Sequence, residues 1–390
     1  MKSIMVLTAT RAEYGLLNPI IRELKNKSEL QVRIVATGAH LSPEFGLTYK
    51  EIEKDGYELD RKIEILLSSD TPSAISKSMG LVMIGFADYF AERRPNAILV
   101  LGDRYETLAV CCAAMNERIP IVHLYGGETT EGAVDEAIRH AITKMSYLHL
   151  TSTEEYRRRV IQLGENPERV FTVGAVGIEN AKKQKLISKE ELEKDLGFSL
   201  DKPYAVVTFH PVTLEGKSAG EQCREMLHAF DRHPEMKYII SKANADSDDR
   251  IINKMLDEYA GTHENVLVRE SLGMIRYLSA LKYADMVIGN SSSGLVEAPS
   301  FQIPTINIGD RQKGRLQAES IINCKPLEQD ICSAFGIAQS VSFKNKCRTV
   351  VNPYGDGLTS PKVVKHIMDM FHNGIDIKKK FYNIEVPNED

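Results

Sequence analysis

The chain has 390 residues and a formal net charge of −5 at pH 7, from 49 lysines and arginines against 54 aspartates and glutamates. At about 150 residues per domain, this length predicts two or three domains. A content of 43% hydrophobic and 26% charged residues excludes wholesale disorder, and slight acidity disfavours a large nucleic-acid interface. The apolar runs fall short of the roughly 18 residues that span a bilayer. We therefore expect a soluble, cytoplasmic protein with neither a nucleic-acid nor a membrane partner.

Short β-branched segments alternate with amphipathic segments along the whole chain. In the first half, the pattern predicts strands at 3–8, 31–37, 97–101, 120–124, 148–152 and 170–173. Helical spacing of apolar residues between them predicts helices at 16–27, 71–93, 106–117, 133–143 and 154–163. The second half repeats the alternation, with strands at 204–209, 237–241, 265–268, 286–289 and 304–308 and helices at 220–232, 247–259, 271–281 and 294–299.

This alternation predicts an α/β fold with two doubly wound, Rossmann-like parallel sheets, each covered by helices on both faces. We place the first domain at 1–175 and the second at 176–359, because a glycine-containing turn and a charge-rich stretch meet there. A last helix is predicted at 361–371. The basic tail that follows, from Lys378 onward, is expected to fray.

Ligands of open parallel sheets bind beyond the carboxyl ends of the strands, so the polar residues there are the candidates for function. Arg11 follows the first strand at the start of a helix; it either binds a phosphate or pairs with Glu13 on the surface. The same segment lacks Gly-x-Gly-x-x-Gly, which argues against a dinucleotide cofactor. After the strand at 97–101, Asp103 beside Arg104 is either an acid or base, or an N-cap.

The densest group of candidates lies at 123–140. A strand there ends in two glycines, and four carboxylates follow within nine residues, beginning with Glu128. Asp135 and Arg139 are four residues apart and therefore share a helix face, with His140 next to them. Acidic residues are also common at the start of an ordinary solvated helix. The paired glycines and the Arg-His pair favour a functional site.

The second half carries a different set of polar residues at its strand ends. His210 is a candidate general acid or phosphate ligand, with a capping role as the alternative. A loop of three serines then offers hydroxyls and N–H groups to a diphosphate at a helix N-terminus, although a serine-rich N-cap explains part of this pattern. Because the loop lacks the Gly-Lys-Ser/Thr of a P-loop, nucleotide hydrolysis is not predicted. The nucleotide-binding candidates of this half are Ser291, Ser292, Ser293, Gly294, Glu297 for a ribose, and Arg311.

The six cysteines form neither a Cys-x-x-Cys pair nor a Cys/His cluster with zinc spacing. A chain of this length also has no need of disulfide bonds for its stability. The sequence therefore predicts no metal site.

Taken in order along about residues 1–372, these segments resemble the hydrolysing UDP-N-acetylglucosamine 2-epimerases of bacterial sialic-acid and capsule biosynthesis. The resemblance rests on segments 10–15, 102–104, 126–128, 135–142 and 289–294, with 150–156 and 307–315 similar to the capsule branch. It implies a GT-B-like fold with a cleft between the domains and a helix at about 360–372 that returns to the first domain. It also implies a homodimer or homotetramer, a small-molecule nucleotide sugar as partner, and neither metal nor cofactor.

The resemblance further implies a reaction: anti elimination of UDP gives 2-acetamidoglucal, and syn addition of water yields N-acetylmannosamine. It assigns catalytic roles to Asp103, Glu128, Asp135 and His210, and nucleotide binding to Arg11, Arg104, Asn244, Ser291, Ser292, Glu297 and Arg311. The sugar-side positions are His40, Tyr125, Arg139 and His140. Tyr125 stands where several relatives carry Glu, so whether Glu128 or Asp103 removes the C2 proton stays open.

Four alternatives remain. The nearest is the same chemistry on a UDP- or GDP-linked 2,4-diacetamido-2,4,6-trideoxyhexose, an alternative that the tyrosine at position 125 suggests. Another is a non-hydrolysing 2-epimerase that returns the intermediate to UDP-sugar, and a third is a GT-B glycosyltransferase. The last is a regulatory protein that only binds nucleotide sugars, although the many carboxylates near Asp103 argue against it.

Overall fold

A computed structural model of the chain describes residues 1–67, 69, 71–130, 134–210, 219–242 and 247–385. The chain divides into two compact units. Unit 1 consists of Met1–Glu128, Ala133–Asn180 and Tyr354–Asp390, and unit 2 of Ala181–Pro353 with Thr129–Gly132. Most of unit 2 is therefore a single insertion between two parts of unit 1.

Unit 1 contains a seven-stranded sheet in which every neighbouring pair is parallel. Its strands are β1 (Lys2–Thr8), β2 (Leu30–Thr37), β3 (Leu59–Ile63), β4 (Ala97–Leu101), β5 (Ile121–Leu124), β6 (Leu148–Thr151) and β7 (Val170–Thr172). The order β3-β2-β1-β4-β5-β6-β7 reverses direction between β1 and β4. This reversal creates a switch point where the loops after β1 and β4 diverge to opposite faces.

Unit 2 contains a six-stranded sheet that is also parallel throughout. Its strands are β8 (Tyr204–Thr208), β9 (Lys237–Ser241), β10 (Val266–Arg269), β11 (Met286–Gly289), β12 (Thr305–Ile308) and β13 (Ile321–Cys324). The order β10-β9-β8-β11-β12-β13 places the second switch point between β8 and β11. The predicted fold class of two doubly wound parallel sheets is confirmed.

Helices cover the sheets and connect successive strands. In unit 1 they begin with α1 (Arg11–Lys25), α2 (Tyr49–Lys54), α3 (Pro72–Arg93), α4 (Tyr105–Asn116), α5 (Val134–Met145), α6 (Glu154–Gln162) and α7 (Val176–Lys183). The helices of unit 2 are α8 (Lys189–Leu196), α9 (Ala219–Asp231), α10 (Ser247–Ala260), α11 (Gly273–Tyr283), α12 (Ser292–Val296), α13 (Glu328–Gln339) and α14 (Val341–Cys347). The last helix, α15 (Thr359–Asn373), belongs to unit 1 again. None of the helices in the described part of the chain is both long and apolar enough to cross a membrane.

The last helix, α15, is part of the core of unit 1. Its Val363 and Ile367 are fully buried in the same cluster as Leu17 and Ile21 of α1. At its start, the buried carboxylate of Glu179 accepts hydrogen bonds from the Ser360 N–H (2.6 Å) and hydroxyl (2.7 Å). A carboxylate that accepts such N–H bonds stabilises the first turn of a helix.

The tail after α15 is ordered by contacts with unit 1, so the expectation that it frays is wrong as far as Tyr382. Lys379 Nζ donates to the carbonyl oxygens of Lys144 (2.9 Å) and Ser146 (2.6 Å) at the end of α5. It also lies 2.6 Å from an oxygen of Glu165, whose side chain is only 2% exposed. The Tyr382 N–H adds a bond to the Gly164 carbonyl. A buried carboxylate needs partners of this kind, and sequence order does not reveal them.

The sequence-based prediction missed two strands at sheet edges. β3 has the sequence Leu-Asp-Arg-Lys-Ile, and β13 is partly exposed. An edge strand has only one neighbour and tolerates polar residues, so it lacks the apolar signature of a central strand. The predicted helix at 294–299 is instead the short α12 followed by a 3₁₀ turn at Ala298–Phe301.

Candidate functional site

At the switch point of unit 1, Arg139 of α5 organises three acidic residues. Its side chain is 2% exposed, and its guanidinium forms an ion pair with Asp103, which follows β4. One guanidinium nitrogen also donates to the Glu136 carboxylate (2.8 Å) and to the Glu128 carbonyl oxygen (2.8 Å). A planar guanidinium has five donors and can fix several acceptors at once. Arg139, predicted to contact the sugar, is therefore placed here to orient the acids.

The two glycines after β5 bring the Glu128 loop into close contact with its surroundings. A Cβ atom on Gly126 would lie 3.1 Å from His123 Nδ1 and from Thr143 Oγ1. Gly127 has a φ of +81°, and a Cβ there would overlap the Tyr156 carbonyl oxygen. Glycine is required where the backbone is left-handed and approached this closely. The loop thereby holds Glu128, 8% exposed, with its carboxylate accepting from the Ser152 hydroxyl at 2.9 Å.

A second cluster of charged side chains lies in the segments that follow β1 and β4. The Glu13 carboxylate accepts the N–H groups of Ala9 (2.7 Å) and Thr10 (3.1 Å), completing a capping box at the start of α1. Burial raises the pKa of Glu13 to about 7, an effect that Arg104 opposes and Glu106 reinforces. Arg104 Nε in turn donates to Glu106 at 2.7 Å. Arg104, predicted to bind nucleotide, is thus held by an acid that sequence reasoning did not single out.

Two further predicted residues of unit 1 lie beside this charged group. His40 is fully buried, and its ring nitrogens contact the hydroxyls of Thr8 (2.9 Å) and Thr48 (2.8 Å). Burial lowers the pKa of His40 to about 4, so the imidazole is neutral at physiological pH. Arg11 is the first residue of α1 and lies 3.6 Å from the Glu51 carboxylate, rather than being paired with Glu13.

The remaining candidates of unit 1 lie on α5 and at the end of β5. Asp135 is exposed in the first turn of α5, and His140 Nε2 lies 3.1 Å from the Glu136 carboxylate. Tyr125 has a φ of +68°, which is unusual for a residue with a side chain. Its hydroxyl accepts a hydrogen bond from the Val176 N–H at 2.7 Å. The structure therefore brings the Asp103, Glu128, Arg139 and His140 group together around α5.

In unit 2 the strand that corresponds to β4 is β11, and it is followed by a neutral residue, Asn290. Asn290 is fully buried; its side-chain oxygen accepts the His210 N–H (2.7 Å), and its side-chain nitrogen donates to the His210 carbonyl (2.8 Å). Its own carbonyl oxygen accepts from Arg311 (3.0 Å) and from Gln312 (2.7 Å). One asparagine thus fixes two loops, the loop after β8 through its side-chain amide and the loop after β12 through its backbone carbonyl. Asn290 and Gln312 lie in segments that sequence analysis selected, but neither was assigned a role.

The serine loop after β11 is shaped by close packing. Gly289 has a φ of +128°, and a Cβ there would overlap the Thr208 carbonyl oxygen. The Ser291 side chain caps α12, and the Ser293 hydroxyl accepts from Tyr277 (2.6 Å). Because α12 has only five residues, an anion there would rely on individual N–H groups and hydroxyls rather than on a helix dipole. Ser292 and Gly294 lie in α12, and Glu297 caps its C-terminus.

Burial sets the protonation state of His210. It lowers the pKa of His210 to about 3, and the nearby positive charge of Arg311 adds to the effect. At neutral pH the imidazole is therefore a neutral hydrogen-bonding group rather than an imidazolium acid. Asn244, predicted to bind nucleotide, lies outside the described residues. Among the described residues, no group of three or more His, Cys, Asp or Glu side chains is arranged to hold a metal ion.

Comparison with known proteins identifies the family of the chain. Residues 22–368 match the family described as UDP-N-acetylglucosamine 2-epimerase. The chain belongs to this family. It is 42% identical to the GDP/UDP-N,N'-diacetylbacillosamine 2-epimerase (hydrolyzing) of Campylobacter jejuni, over 98% of this chain and 99% of that protein. It is also 39% identical to the polysialic acid biosynthesis protein P7 of Escherichia coli, over 98% of both chains.

A solved structure of a UDP-N-acetylglucosamine 2-epimerase family member supports the fold. The UDP-GlcNAc 2-epimerase from Neisseria meningitidis bound to UDP-GlcNAc superposes with a TM-score of 0.81 over 95% of this chain and 100% of that one. The two are 19% identical, so the likeness concerns the fold. The predicted GT-B-like fold class is confirmed, and the protein is an enzyme of the nucleotide-sugar 2-epimerase family.

Proposed function

We propose that this enzyme is a hydrolysing 2-epimerase acting on a UDP- or GDP-linked 2,4-diacetamido-2,4,6-trideoxyhexose. It would release the nucleoside diphosphate and the corresponding free 2-epimeric sugar. The observation that carries this proposal is the 42% identity, over nearly the full length of both chains, to the Campylobacter enzyme named for diacetylbacillosamine. This support favours the substrate that sequence analysis placed second over UDP-N-acetylglucosamine.

The proposed reaction has two steps. In the first, a base removes the proton from C2, a double bond forms between C1 and C2, and the C1–oxygen bond breaks to release the nucleoside diphosphate. In the second, water adds its hydroxyl to C1 and a proton returns to C2 on the opposite face, which inverts that centre. The first step needs a carboxylate near C2, and the second needs an acid.

The carboxylates of unit 1 suit both proton transfers. Asp103 and Glu128 are connected through Arg139, which pairs with the Asp103 side chain and holds the Glu128 carbonyl. We propose that one of these two carboxylates removes the C2 proton, while Asp135, exposed at the start of α5, is available for the hydration step. Arg139 keeps the acids in place, because one planar guanidinium donates to several acceptors in a fixed geometry.

The hydrogen-bond donors of unit 2 suit the diphosphate. We propose that His210, Arg311 and the Ser291–Gly294 N–H groups and hydroxyls bind it in the substrate, as oriented N–H groups and arginines bind phosphates in other proteins. The neutral His210 of the free enzyme can donate one hydrogen bond to a phosphate oxygen. The negative charge of a bound diphosphate raises the pKa of an imidazole, so proton donation to the leaving group becomes easier once substrate is present.

A second candidate is the hydrolysis and epimerisation of UDP-N-acetylglucosamine to N-acetylmannosamine, the first step of sialic-acid biosynthesis. The 39% identity to the Escherichia coli protein named for polysialic acid biosynthesis favours it. A non-hydrolysing 2-epimerase is the remaining alternative within the family. The homodimer or homotetramer implied by the resemblance stays a prediction, which light scattering of the purified protein tests.

One experiment separates these candidates. The protein is incubated with UDP-GlcNAc and with the UDP- and GDP-linked diacetamido-trideoxyhexoses, and nucleotide release is followed by chromatography while NMR gives the C2 configuration of the sugar. We expect release chiefly from a diacetamido-trideoxy substrate, with the free 2-epimer appearing in step with the nucleotide. Release from UDP-GlcNAc alone would establish the second candidate. An epimerised sugar that stays linked to its nucleotide would establish the non-hydrolysing one.

A further inference from the structure

Tyr125 is held in an unusual conformation at the start of the Glu128 loop. Its φ of +68° places a bulky residue in the left-handed region, where a side chain carries a steric cost. Its N–H donates to the Leu150 carbonyl (3.0 Å), and its hydroxyl accepts from the Val176 N–H (2.7 Å). A strained residue is retained only when the surrounding structure holds it in place.

The Val176 N–H belongs to the segment through which the chain leaves unit 1. Val176 is the first residue of α7, and unit 1 ends at Asn180 within this helix. The neighbouring Ala175 N–H donates to the carbonyl of Tyr354, where the chain re-enters unit 1. We call these two segments, one at Ala175 and Val176 and the other at Tyr354, the crossing segments, because the chain passes between the units there. They are hydrogen-bonded to each other, and Tyr125 is hydrogen-bonded to the first of them.

The other end of the same loop contacts Tyr156, and Tyr156 in turn contacts the second crossing segment. The backbone of Gly127 lies directly against the Tyr156 carbonyl, with no room for a side chain. The Tyr156 hydroxyl lies 3.1 Å from the hydroxyl of Tyr354, and both rings are fully buried. The loop 125–128 is thus connected to both crossing segments by tyrosine hydroxyls, one at each end.

From this arrangement we propose that Tyr125 is a positioning residue: its hydroxyl bond to Val176 sets the orientation in which the loop presents Glu128 to the sugar. This role rests on the proposed function and takes Glu128, of its two candidate carboxylates, as the one that removes the C2 proton. Because its hydroxyl accepts the Val176 N–H, Tyr125 acts on the reaction by holding the loop that carries Glu128. A tyrosine is long enough to reach Val176 across the loop and contributes an aromatic ring that packs against the unit 1 core.

The position of Glu128 has more influence on the reaction than on substrate affinity. Proton transfer requires the carboxylate to be within hydrogen-bond distance of the reacting carbon or water, and a displacement of about 1 Å can cost up to 100-fold in rate. Substrate affinity depends mostly on the nucleotide, which the loop does not bind in the proposed arrangement. Loss of the bond is therefore expected to lower kcat with little change in KM.

The test compares Tyr125→Phe with a matched control, Tyr204→Phe. Both substitutions remove one hydroxyl and keep the ring; the Tyr204 hydroxyl donates to the Ala280 carbonyl (2.7 Å), and both residues belong to unit 2. We expect Tyr125→Phe to lower kcat about tenfold, to change KM less than about twofold, and to release more of the unhydrated glycal relative to the final sugar. Tyr204→Phe should lower the melting temperature while kcat and the product ratio stay at the wild-type values.

A second variant removes the donor instead of the acceptor. Val176→Pro lacks the N–H, and proline is tolerated at the first position of a helix. If the bond acts as proposed, both single variants alter the product ratio in the same direction, and the double variant is no worse than the stronger single one. Wild-type kcat and product ratio in Tyr125→Phe, or additive effects in the double variant, overturn the positioning role. The activity of the wild-type enzyme is measured before any variant is compared. If it releases no nucleotide from any of the substrates, the proposed function itself is wrong.

Discussion

The two units share one sheet topology but use different chemistry at their switch points. In unit 1 the loops after β1, β4 and β5 are held by ion pairs, chiefly Arg139 with Asp103 and Arg104 with Glu106. In unit 2 the equivalent loops are held by Asn290, whose neutral side-chain amide binds the backbone of His210 and whose own backbone carbonyl accepts from Arg311. The same fold thus holds its loops with ion pairs in one unit and with the hydrogen bonds of a neutral asparagine in the other.

This difference matches what each unit is proposed to do. A carboxylate that moves protons must be fixed in place, and the buried Arg139 does this for Asp103 and for the Glu128 loop. A site for a diphosphate benefits from donors with no carboxylate beside them, because a negative side chain would repel the ligand. Substitutions at the corresponding places in the two units should therefore affect catalysis in unit 1 and binding in unit 2.

The largest expected effect is that of Asp103→Asn in unit 1. The variant loses a carboxylate proposed for proton transfer and removes one of the two ion-pair partners of the buried Arg139, which keeps Glu136. We expect kcat to fall by about 100- to 10,000-fold and the free energy of unfolding to fall by about 2 kcal/mol. Nucleotide release and chemical denaturation measure the two effects. Asp195→Asn, an exposed aspartate paired with Arg276, is the control and should change neither.

Asn290→Ala in unit 2 should affect binding rather than catalysis. The substitution leaves the His210 N–H and carbonyl without their partner, and each unsatisfied group costs about 1–3 kcal/mol. We expect KM for the nucleotide sugar to rise about 10- to 100-fold, with kcat reduced much less. Asn323→Ala, at the end of the edge strand β13, is the matched amide control. A variant in which kcat falls and KM does not would contradict the division of roles between the units.

A smaller effect is expected from Lys379→Met, which tests the tail in unit 1. Glu165 would keep Lys144 (2.6 Å) and His149 (3.0 Å) but lose its third partner. Although burial opposes it, these partners hold the pKa of Glu165 down at about 2. We expect the free energy of unfolding to fall by about 2 kcal/mol, while calorimetric binding of UDP or GDP, assigned to unit 2, stays the same. Lys378→Met on the neighbouring residue is the control, and an equal loss there would show that the tail acts by general charge.

The smallest predicted effect concerns Glu13. Because its pKa in the folded protein is raised to about 7, the folded state binds the proton more tightly than the unfolded state does. The stability that Glu13 adds to the folded state by binding its proton more tightly is fully present below pH 4.5, and it is lost as the pH rises through 7. Glu13→Gln does not titrate, so it should gain about 1–2 kcal/mol over the wild type between pH 5 and pH 8. Glu23→Gln on the exposed face of α1 is the control, and a pH-independent difference for Glu13→Gln would refute the assignment.

Much of the fold was predictable because it depends on local patterns. The central strands β4, β9 and β11 have the bounds that the apolar runs predict. Parallel sheets bury both faces of their inner strands, which leaves a continuous hydrophobic run in the sequence. The edge strands β3 and β13 lack that signal, and the tail after α15 is held by single contacts that no periodicity records.

The candidate site was predictable in position but not in its internal contacts. The rule that ligands bind at strand ends selected Asp103 and His210, which lie just after β4 and β8, whereas Arg139 lies within α5; their roles in the site stay predictions. Which acid an arginine binds depends on the packing of separate elements, and this is why the pairing of Arg104 with Glu106 and the role of Asn290 did not appear. Gln312 lay within a segment selected for its arginines and lysine, so a closer look at neutral donors there would have found it.

The insertion of unit 2 between two parts of unit 1 has a consequence for synthesis on the ribosome. The apolar face of α1 is made first but is covered by α15, which is made only after the whole of unit 2. Unit 2 is nearly continuous in sequence and can complete its sheet while translation continues, whereas unit 1 waits for its last helix. Until then, Leu17, Ile21 and their neighbours remain accessible to chaperones or to other nascent chains. A circular permutant that begins at α15 would shorten this exposure and should aggregate less during expression.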